Sequence, residues 1–317
     1  MADFPYLIRP VDSAKDAEDI AALILECFHP WLNRENVDYL LELAAAGRAV
    51  RKHPTLSKLT GGFPYEIGGV VCVNPANGCV IGNTGVYHYR VNGVPGSLIA
   101  NVCVNPAYRG QGIAMRMLEE VEAEERRTRT CGFYLQARME VPSVIAMYRE
   151  NGFKVTDYRN EWILPRGKVV PDLTDGLTSR RLKDAALFNK CFYERYPRSI
   201  IWNLGYNPAV FDTNPLSVAG RRLHGDYSGC REFVNADGTV AGWAGWQRSN
   251  EDTDTLWRIP NGKPSADELS ALLHAAVKAY PGKKPLKIDT PAEDSARVYT
   301  DAGFAILHAL AWMWKPL

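Results

Sequence analysis

The chain has 317 residues, and its charges nearly cancel to a formal net charge of +1 at pH 7. Hydrophobic residues account for 46% of the sequence and charged residues for 23%, which is typical of a globular protein, and the length allows two hydrophobic cores. The balanced charge predicts neither nucleic acid nor an anionic membrane as a partner. No apolar run approaches the ~20 residues of a membrane span.

Cysteine usage and the first residues favour a cytoplasmic location. The seven cysteines are scattered and form no CxxC pair, which is typical of reduced thiols in the cytoplasm. The sequence opens without the basic and apolar regions of a signal peptide. No group of cysteines, histidines and carboxylates has the spacing of metal ligands, so we expect no metal cofactor.

The pattern of apolar residues predicts strands and helices through the first half. A strand over residues 6–9 precedes a helix for which Ser13 is a suitable N-cap. A second helix is predicted over residues 35–46, and strands follow over residues 68–73 and 80–89. These elements favour an α/β layer fold with a mixed, largely antiparallel sheet flanked by helices.

The most informative stretch runs from Asn101 to Ala114. An apolar strand over residues 98–104 leads into a glycine-containing loop, which opens directly into an amphipathic helix. Loop glycines let the backbone approach a ligand, and the unbonded amides at a helix start attract an anion. The loop lacks the Gly-Lys-Ser/Thr of a P-loop and the glycine spacing of the dinucleotide fingerprint. On spacing alone, an ordinary helix start is the alternative interpretation.

A second motif follows further along the chain. Pro142 suits the first turn of a helix that carries Tyr148, and Gly152 suits its C-cap. Phe153 then begins another strand. The chain therefore places a tyrosine on a short helix between two strands, after the glycine-containing loop.

These two motifs, in this order, resemble the Gcn5-related N-acetyltransferase (GNAT) superfamily. The loop pattern of that family, Arg/Gln-x-x-Gly-x-Gly/Ala, is matched from Arg109 to Ala114. Its later tyrosine and Gly-Phe pair are matched by Tyr148, Gly152 and Phe153. The resemblance implies a GNAT fold, an acyltransferase activity and acetyl-coenzyme A (acetyl-CoA) as cosubstrate.

The resemblance also implies roles for single residues. The loop amides would bind the pyrophosphate of acetyl-CoA, and the strand before the loop would pair its backbone with the pantetheine arm. The cofactor-binding residues would then be Val102, Cys103, Val104, Arg109, Gly110, Gln111, Gly112, Ile113 and Ala114. Val141 stands where many relatives have an asparagine that contacts the cofactor, so that contact is not expected in this chain.

Tyr148 matches the position that often protonates the leaving thiolate. The ordinary pKa of tyrosine is ~10 and that of a thiol ~8.5, so the hydroxyl is protonated at pH 7 and is a candidate general acid. A core aromatic residue on a helix face is the alternative. For Cys103 we expect a packing or backbone role and no acyl-enzyme, because free cysteines are often buried and no histidine lies near it in sequence.

The general base is less well specified. His88 lies on the strand that precedes the cofactor strand, and a neutral histidine accepts a proton near pH 7. A partly exposed structural histidine is the alternative. Tyr87, Tyr89, Asn101 and the carboxylate of Leu317 are further options for the acceptor site.

The second half of the sequence echoes the first. Tyr299 and the pair that follows it, Gly303 and Phe304, repeat the Tyr148 motif. Ser265 and Glu268 form a capping box at the start of a helix. We predict two GNAT-like units in a layout similar to that of mycothiol synthase. The predicted bounds are an N-terminal catalytic domain over residues 1–165, a linker over residues 166–176 and a degenerate domain over residues 177–317.

The second unit lacks the loop motif. Pro260 and Pro264 remove amide donors that a phosphate would need, and no Arg/Gln-x-x-Gly-x-Gly/Ala pattern occurs there. We therefore predict that only the N-terminal unit binds acetyl-CoA and that Tyr299 is a core or groove residue.

The sequence thus predicts an acetyl-CoA-dependent N-acetyltransferase that moves an acetyl group directly to an amine. A small-molecule amine is the expected acceptor. Two alternatives remain open, a non-catalytic module that binds or senses acyl-CoA, and an acetyltransferase that acts on a protein amine.

Overall fold

The computed structural model describes residues 4–32, 34–53, 63–91, 93–128, 130–168, 176–249 and 252–317. The chain forms two compact units. Unit 1 comprises Met1–Gln136, Ala146–Lys154 and Met313–Leu317, and unit 2 comprises Ala137–Ile145 and Val155–Trp312. Short segments therefore alternate between the units. The predicted linker lies largely outside the described residues, and the predicted division at residues 1–165 and 177–317 stays a prediction.

Unit 1 contains a sheet whose strands follow chain order. Its strands are β1 (Leu7–Pro10), β2 (Gly69–Val73), β3 (Val80–Val91), β4 (Val94–Val104) and β5 (Gly132–Arg138), and the last two residues of β5 belong to unit 2. Neighbouring strands are antiparallel except β4 and β5, which are parallel. The helices are α1 (Ser13–Phe28), α2 (Arg34–Lys52), α3 (Ile113–Glu125) and α4 (Pro142–Glu150), of which α4 enters unit 1 at Ala146.

The starts and ends of the first two helices differ from prediction. Asp12 caps α1 and accepts a hydrogen bond from the backbone amide of Lys15, so the predicted cap, Ser13, is wrong. The Ser13 hydroxyl instead accepts the backbone amide of Ile67 at 3.0 Å. Helix α2 continues past residue 46 to Lys52, and Gly47 lets its backbone lie directly against Ala17 of α1.

Helix α3 lies on the sheet through the predicted apolar face. Ile113, Met117, Leu118 and Val121 are all buried. A Cβ added at Gly82 of β3 would lie 3.0 Å from the Met117 side chain. The glycine therefore lets α3 approach the strand closely, which fixes the start of α3 and the loop before it.

Unit 2 has its own mixed sheet. Its strands are β6 (Lys154–Leu164), β7 (Thr178–Arg180), β8 (Gly229–Val234), β9 (Val240–Gln247), β10 (Asp254–Pro260), β11 (Leu286–Pro291) and β12 (Ala305–Pro316), in the order β12-β6-β11-β10-β9-β8-β7. Only the first residue of β6 and the last residues of β12 belong to unit 1. Strands β10 and β11 are parallel, and the other described pairs are antiparallel.

The helices of unit 2 are α5 (Ala185–Arg195), α6 (Arg198–Ile201), α7 (Pro215–Leu223), α8 (Ala266–Lys278) and α9 (Ala296–Asp301). The predicted capping box of Ser265 and Glu268 is confirmed at the start of α8. The run β10-α8-β11-α9 repeats the order β4-α3-β5-α4 of unit 1. The predicted class, a mixed and mostly antiparallel α/β fold, is confirmed.

Candidate functional site

A bulge bends strand β4 at Asn101. The pairing of β4 with β3 shifts register between Asn83 and Gly85. Asn101 has a φ of 53°, and no other non-glycine residue among those described has a positive φ. The side-chain amide of the buried Asn83 donates to the Asn101 carbonyl at 2.9 Å and holds this conformation. Bulges re-aim a strand and frequently lie beside functional sites.

Strands β4 and β5 separate just before the bulge. Their described pairing covers Ser97 with Phe133 and Leu98 with Tyr134, and past these residues no described pair joins the two strands. Strand β4 nevertheless continues to Val104. Backbone groups of the last part of β4 therefore face a gap, and this part contains the predicted pantetheine-binding residues 102–104.

The loop after β4 is shaped by one asparagine and two glycines. Asn105 caps a short 3-10 helix over residues 106–108 and accepts the backbone amide of Ala107 at 3.0 Å. Gly110 and Gly112 follow with φ values of 76° and 75°, which residues other than glycine rarely adopt. Gly112 is the N-cap of α3 and makes no side-chain cap.

The backbone amides of residues 110–114 are unbonded in the described structure. None of them has a hydrogen-bond acceptor within the part of the chain that the structure describes. A Cβ built on Gly110 or Gly112 would meet no heavy atom within 4 Å. The loop and the first turn of α3 thus present unbonded donors, with the positive end of the helix dipole behind them, to a volume that a ligand could fill.

Two side chains hold this loop in place. The Tyr6 hydroxyl donates to Oε1 of Gln111 at 2.7 Å, and the Tyr6 ring packs edge-on against Tyr108. Arg109 turns back toward β4, where its Nε donates to the Val104 carbonyl at 3.1 Å. The predicted residues of the loop are therefore brought together, and the guanidinium of Arg109 braces the loop against the end of β4.

Tyr148 is buried on α4 with a free hydroxyl. The side chain is 5% exposed, and its ring packs edge-on against Phe153. Burial, with a smaller effect of the nearby Cys103, raises the pKa of Tyr148 above its ordinary value. Its hydroxyl makes no hydrogen bond within the described residues. A protonated donor without an acceptor is thus available beside the strand that faces the gap.

His88, the predicted candidate base, lies in a different environment. Its Nε2 is 3.1 Å from both carboxylate oxygens of Glu125, at the end of α3. Glu125 is itself buried and accepts the Ser97 hydroxyl at 2.6 Å. His88 pairs with Ser97 in register, four residues ahead of the bulge, or about 13 Å along the strand. These contacts favour the structural interpretation of His88.

A group of tyrosines lies near the bulge. The Asn101 side chain lies near Tyr87, whose pKa is raised by burial and by the neighbouring phenols of Tyr39 and Tyr89. The Tyr39 ring is in turn edge-on to Tyr65, with 5.8 Å between ring centroids. The sequence analysis singled out Tyr87, Tyr89 and Asn101 but not Tyr39. A usable signal was that Tyr39 lies off the apolar stripe of α2, and the structure shows that it is exposed. Leu317 is not part of this group, because its amide donates to the Cys131 carbonyl.

The corresponding place in unit 2 is filled by protein. Strands β10 and β11 pair at Asp254–Leu286 and Thr255–Lys287 and then part, as β4 and β5 do. The buried Tyr196 occupies the opening, where its hydroxyl lies 3.3 Å from both the Arg258 amide and the Asp289 carbonyl. Ser265 and Glu268 cap the next helix, so the amides of these two residues are already hydrogen-bonded.

Tyr299 of unit 2 differs from Tyr148 in its partners. It is fully buried and stacks on Trp162 with 4.8 Å between ring centroids. Its hydroxyl donates to Asp294 and accepts from Arg258. Tyr299 is therefore a core residue whose hydroxyl is not available to a ligand.

Residues 66–155 match the family model described as an acetyltransferase (GNAT) domain. This segment is a GNAT domain. It contains β2 to β5, the glycine loop, α3 and α4, so the predicted recognition is confirmed for the part that carries the candidate site. No curated protein sequence matches the chain.

Solved structures share the fold at low sequence identity. A GCN5-related N-acetyltransferase from Sphaerobacter thermophilus aligns over 100% of this chain and 97% of its own, with 16% identity and a TM-score of 0.56. A glucosamine N-acetyltransferase region of a fungal multi-domain β-N-acetylglucosaminidase aligns over 99% of this chain, but this chain spans only 38% of that protein, with 12% identity and a TM-score of 0.55. Among the described residues, no helix combines the length and the apolar character needed to cross a membrane.

Proposed function

We propose that the protein is an acetyl-CoA-dependent N-acetyltransferase whose N-terminal unit binds the cosubstrate and carries out the transfer. One observation carries the proposal. The unbonded amides of residues 110–114 lie at the end of a strand that has parted from its neighbour, and the free hydroxyl of Tyr148 is near that strand. Pyrophosphate, peptide-like pantetheine and a leaving thiolate are the three chemical groups that such an arrangement fits.

The residues present suit coenzyme A. Amides of residues 110–114 would bind the pyrophosphate, and the unpaired part of β4, including Val102, Cys103 and Val104, would pair with the two amides of pantetheine. The open volume in front of Gly110 and Gly112 leaves room for the phosphates. Acetyl-CoA would supply the activated acyl group as a thioester.

Tyr148 would act on the sulfur that leaves. Because burial raises its pKa, the hydroxyl stays protonated and donates a hydrogen bond to the developing thiolate. We do not assign His88 as the general base, because its imidazole contacts Glu125 at the end of α3. A neutral amine would attack directly and lose its proton to solvent, without an acyl-enzyme at Cys103.

The tyrosines near the bulge would form the acceptor side. Tyr39, Tyr65 and Tyr87 present ring edges and hydroxyls, and Asn101 adds an amide. Such a surface suits a small amine with an apolar or aromatic body, since rings supply contact area and hydroxyls fix orientation.

The free state of all seven cysteines fits our inference of a reducing, cytoplasmic compartment.

Calorimetry and a turnover assay test the proposal together. We expect one molecule of coenzyme A bound per chain, since Tyr196 fills the opening in unit 2. Release of free thiol from acetyl-CoA should then depend on an amine, tested with a panel of small aromatic and aliphatic amines and lysine peptides. Binding without turnover on any amine would favour the sensing module, turnover on peptides alone would favour a protein acceptor, and absence of binding would contradict the proposal.

A further inference from the structure

Cys27 lies at the end of α1, directly beside the end of the cofactor strand. Its sulfur is 3.5 Å from the Val104 carbonyl and 3.7 Å from Nη2 of Arg109. The residue is neither fully buried nor fully exposed, so a small reagent could reach it. The carboxyl end of a helix disfavours a negative charge, so a thiolate at this position depends on the cation of Arg109.

A second thiol supports the first. Cys103 is buried in β4, and Cys27 packs against the same hydrophobic cluster. The neighbouring thiol of Cys103 and, to a smaller extent, the guanidinium of Arg109 together lower the pKa of Cys27 to about 6, against the opposing effect of burial. The nearby Glu26 acts in the opposite direction but is drawn toward the side-chain amide of Asn105. For Cys103, the same hydrogen bond and burial raise the pKa.

We propose that Cys27 is a modification site, whose thiolate exchanges with low-molecular-weight disulfides and whose adduct weakens ligand binding at the neighbouring amide cradle. The three groups that define the site are the Cys27 sulfur, the Arg109 guanidinium and the buried thiol of Cys103. The modification itself is independent of any enzymatic activity. Its effect on the cradle rests on the proposed binding of coenzyme A.

The exchange is balanced without a further oxidant. The Cys27 thiolate attacks one sulfur of a disulfide RSSR, a new S–S bond joins Cys27 to RS, and the second RS leaves as a thiolate that takes a proton from water. Cys103 stays reduced. Cys27 loses its negative charge, so Arg109 loses an anionic partner while the group R occupies space next to Val104.

Modification of Cys27 would affect the amide cradle through Arg109. The Nε of Arg109 donates a hydrogen bond to the Val104 carbonyl, and the backbone of Arg109 continues directly into Gly110. A bulky adduct on Cys27 cannot keep the 3.7 Å contact with Nη2 of Arg109. We therefore expect the start of the loop to lose its brace and the amides of residues 110–114 to lose their common direction.

The pH dependence of alkylation tests the thiolate. Iodoacetamide is reacted with the full chain at pH 5 to 9, and the Cys27 peptide is quantified by mass spectrometry beside those of the exposed Cys79 and Cys131. We expect the Cys27 rate to reach half its maximum near pH 6 and to be level by pH 8. A rate that still rises between pH 8 and 9, as for an ordinary thiol of pKa ~8.5, would overturn the proposal.

Variants separate the hydrogen bond from packing. Cys103→Ser keeps a donor and should keep the low midpoint, whereas Cys103→Ala should shift it upward by about one pH unit, the size of a single charge-assisted hydrogen bond. Arg109→Gln should shift it in the same direction. Unshifted midpoints in both Cys103→Ala and Arg109→Gln would show that neither partner acts on the Cys27 sulfur.

The effect on the cradle is tested with oxidised glutathione as the probe. Treatment should add one glutathione to Cys27 and lower the affinity for coenzyme A by at least about tenfold, which corresponds to ~1.4 kcal/mol. In Cys27→Ser the same treatment should leave the affinity unchanged. Equal affinity of treated and untreated wild type would overturn the link to the cradle. Absence of binding before treatment would contradict the proposed function and this link with it, while the alkylation profile decides the reactivity of Cys27 independently.

Discussion

Tyr148 illustrates how burial changes the role of a catalytic candidate. Its ordinary pKa already exceeds that of a thiol, and burial raises it further. Under the proposed mechanism, complete proton transfer to a thiolate would be uphill, and the hydroxyl would act mainly by a hydrogen bond that stabilises the transition state. The residue was predictable because a tyrosine before a Gly-Phe pair is part of a local motif. The absence of a partner for its hydroxyl was not, because that depends on contacts distant in sequence.

Substitution of this tyrosine tests the assignment. In Tyr148→Phe we expect kcat to fall by about 100-fold, because the donor to the leaving sulfur is lost, and the KM for acetyl-CoA to change by less than about twofold. Steady-state kinetics with the best acceptor amine measure both. Tyr299→Phe is the matched control, which should keep kcat but lower the free energy of unfolding by about 1–3 kcal/mol, since its hydroxyl is buried among charged partners. An unchanged kcat in Tyr148→Phe would reduce the residue to packing.

Asn101 shows a limit of reading single residues. Asparagine tolerates a positive φ, but many asparagines have an ordinary backbone, and the sequence around Asn101 reads as a regular strand. The bulge depends on Asn83, a residue of the neighbouring strand that donates to the Asn101 carbonyl. The same holds for Cys27, whose partners Arg109 and Cys103 lie far along the chain.

At the level of elements, the conformation of the loop before α3 follows the sequence prediction most closely. It depends on local backbone geometry, which Gly110 and Gly112 determine, and on a helix start, which the apolar pattern of α3 determines. The separation of β4 from β5 arises from strand pairing between distant segments, which periodicity along one strand does not reveal.

Two glycines of equal geometry allow a controlled test of the loop. Gly112 has a φ of 75° and Gly262 of unit 2 has a φ of 74°, and a Cβ on either would meet no heavy atom within 4 Å. Valine at either position should cost a similar backbone strain, at least about 1–2 kcal/mol, seen as a similar fall in melting temperature. Only Gly112→Val should lower the affinity for coenzyme A, by about tenfold or more, as measured by calorimetry. Equal affinity in both variants would contradict the cradle.

The element that fills the opening in unit 2 can be tested in the same way. Tyr196→Phe removes the hydroxyl that lies between the Arg258 amide and the Asp289 carbonyl, and should lower the free energy of unfolding by about 1–3 kcal/mol. Tyr193→Phe, on the same helix but exposed, should change it by no more than about 0.5 kcal/mol. Urea denaturation measures both. A similar small effect of the two variants would show that the Tyr196 hydroxyl does not join the strands.

For the whole molecule, the similar motifs in the two halves predicted a repeated order of strands and helices, but they did not predict how the chain is divided between the two units. The sequence suggested a boundary near residue 165, because prolines and glycines there resemble a linker. In the structure, compactness assigns the last residues, Met313–Leu317, to unit 1 and the short segment Ala137–Ile145 to unit 2. Such exchanges depend on contacts between the two ends of the chain, for which a single sequence has no local signal.

Lys315 is one of the residues that attach the last segment to the rest of unit 1. Its ammonium group pairs with Glu122 of α3 and donates to Oδ1 of Asn151 at 3.1 Å, just after α4. The side chain is only 16% exposed, so water screens this pair poorly. One residue near the C-terminus thus holds together the helix of the anion cradle and the helix of Tyr148.

Removing this charge should therefore destabilise the protein more than removing an exposed one. Lys315→Met keeps the aliphatic stem and should lower the free energy of unfolding by about 1.5–3 kcal/mol, the range for hydrogen bonds to charged groups. Lys15→Met is the matched control, because the Lys15 side chain is 77% exposed and its pair with Asp12 should contribute no more than about 0.5 kcal/mol. Urea denaturation of both variants gives the comparison. If the two substitutions cost the same small amount, the last strand is not an integral part of unit 1. If Lys315→Met also lowers the affinity for coenzyme A, the end of the chain contributes to the orientation of the cradle.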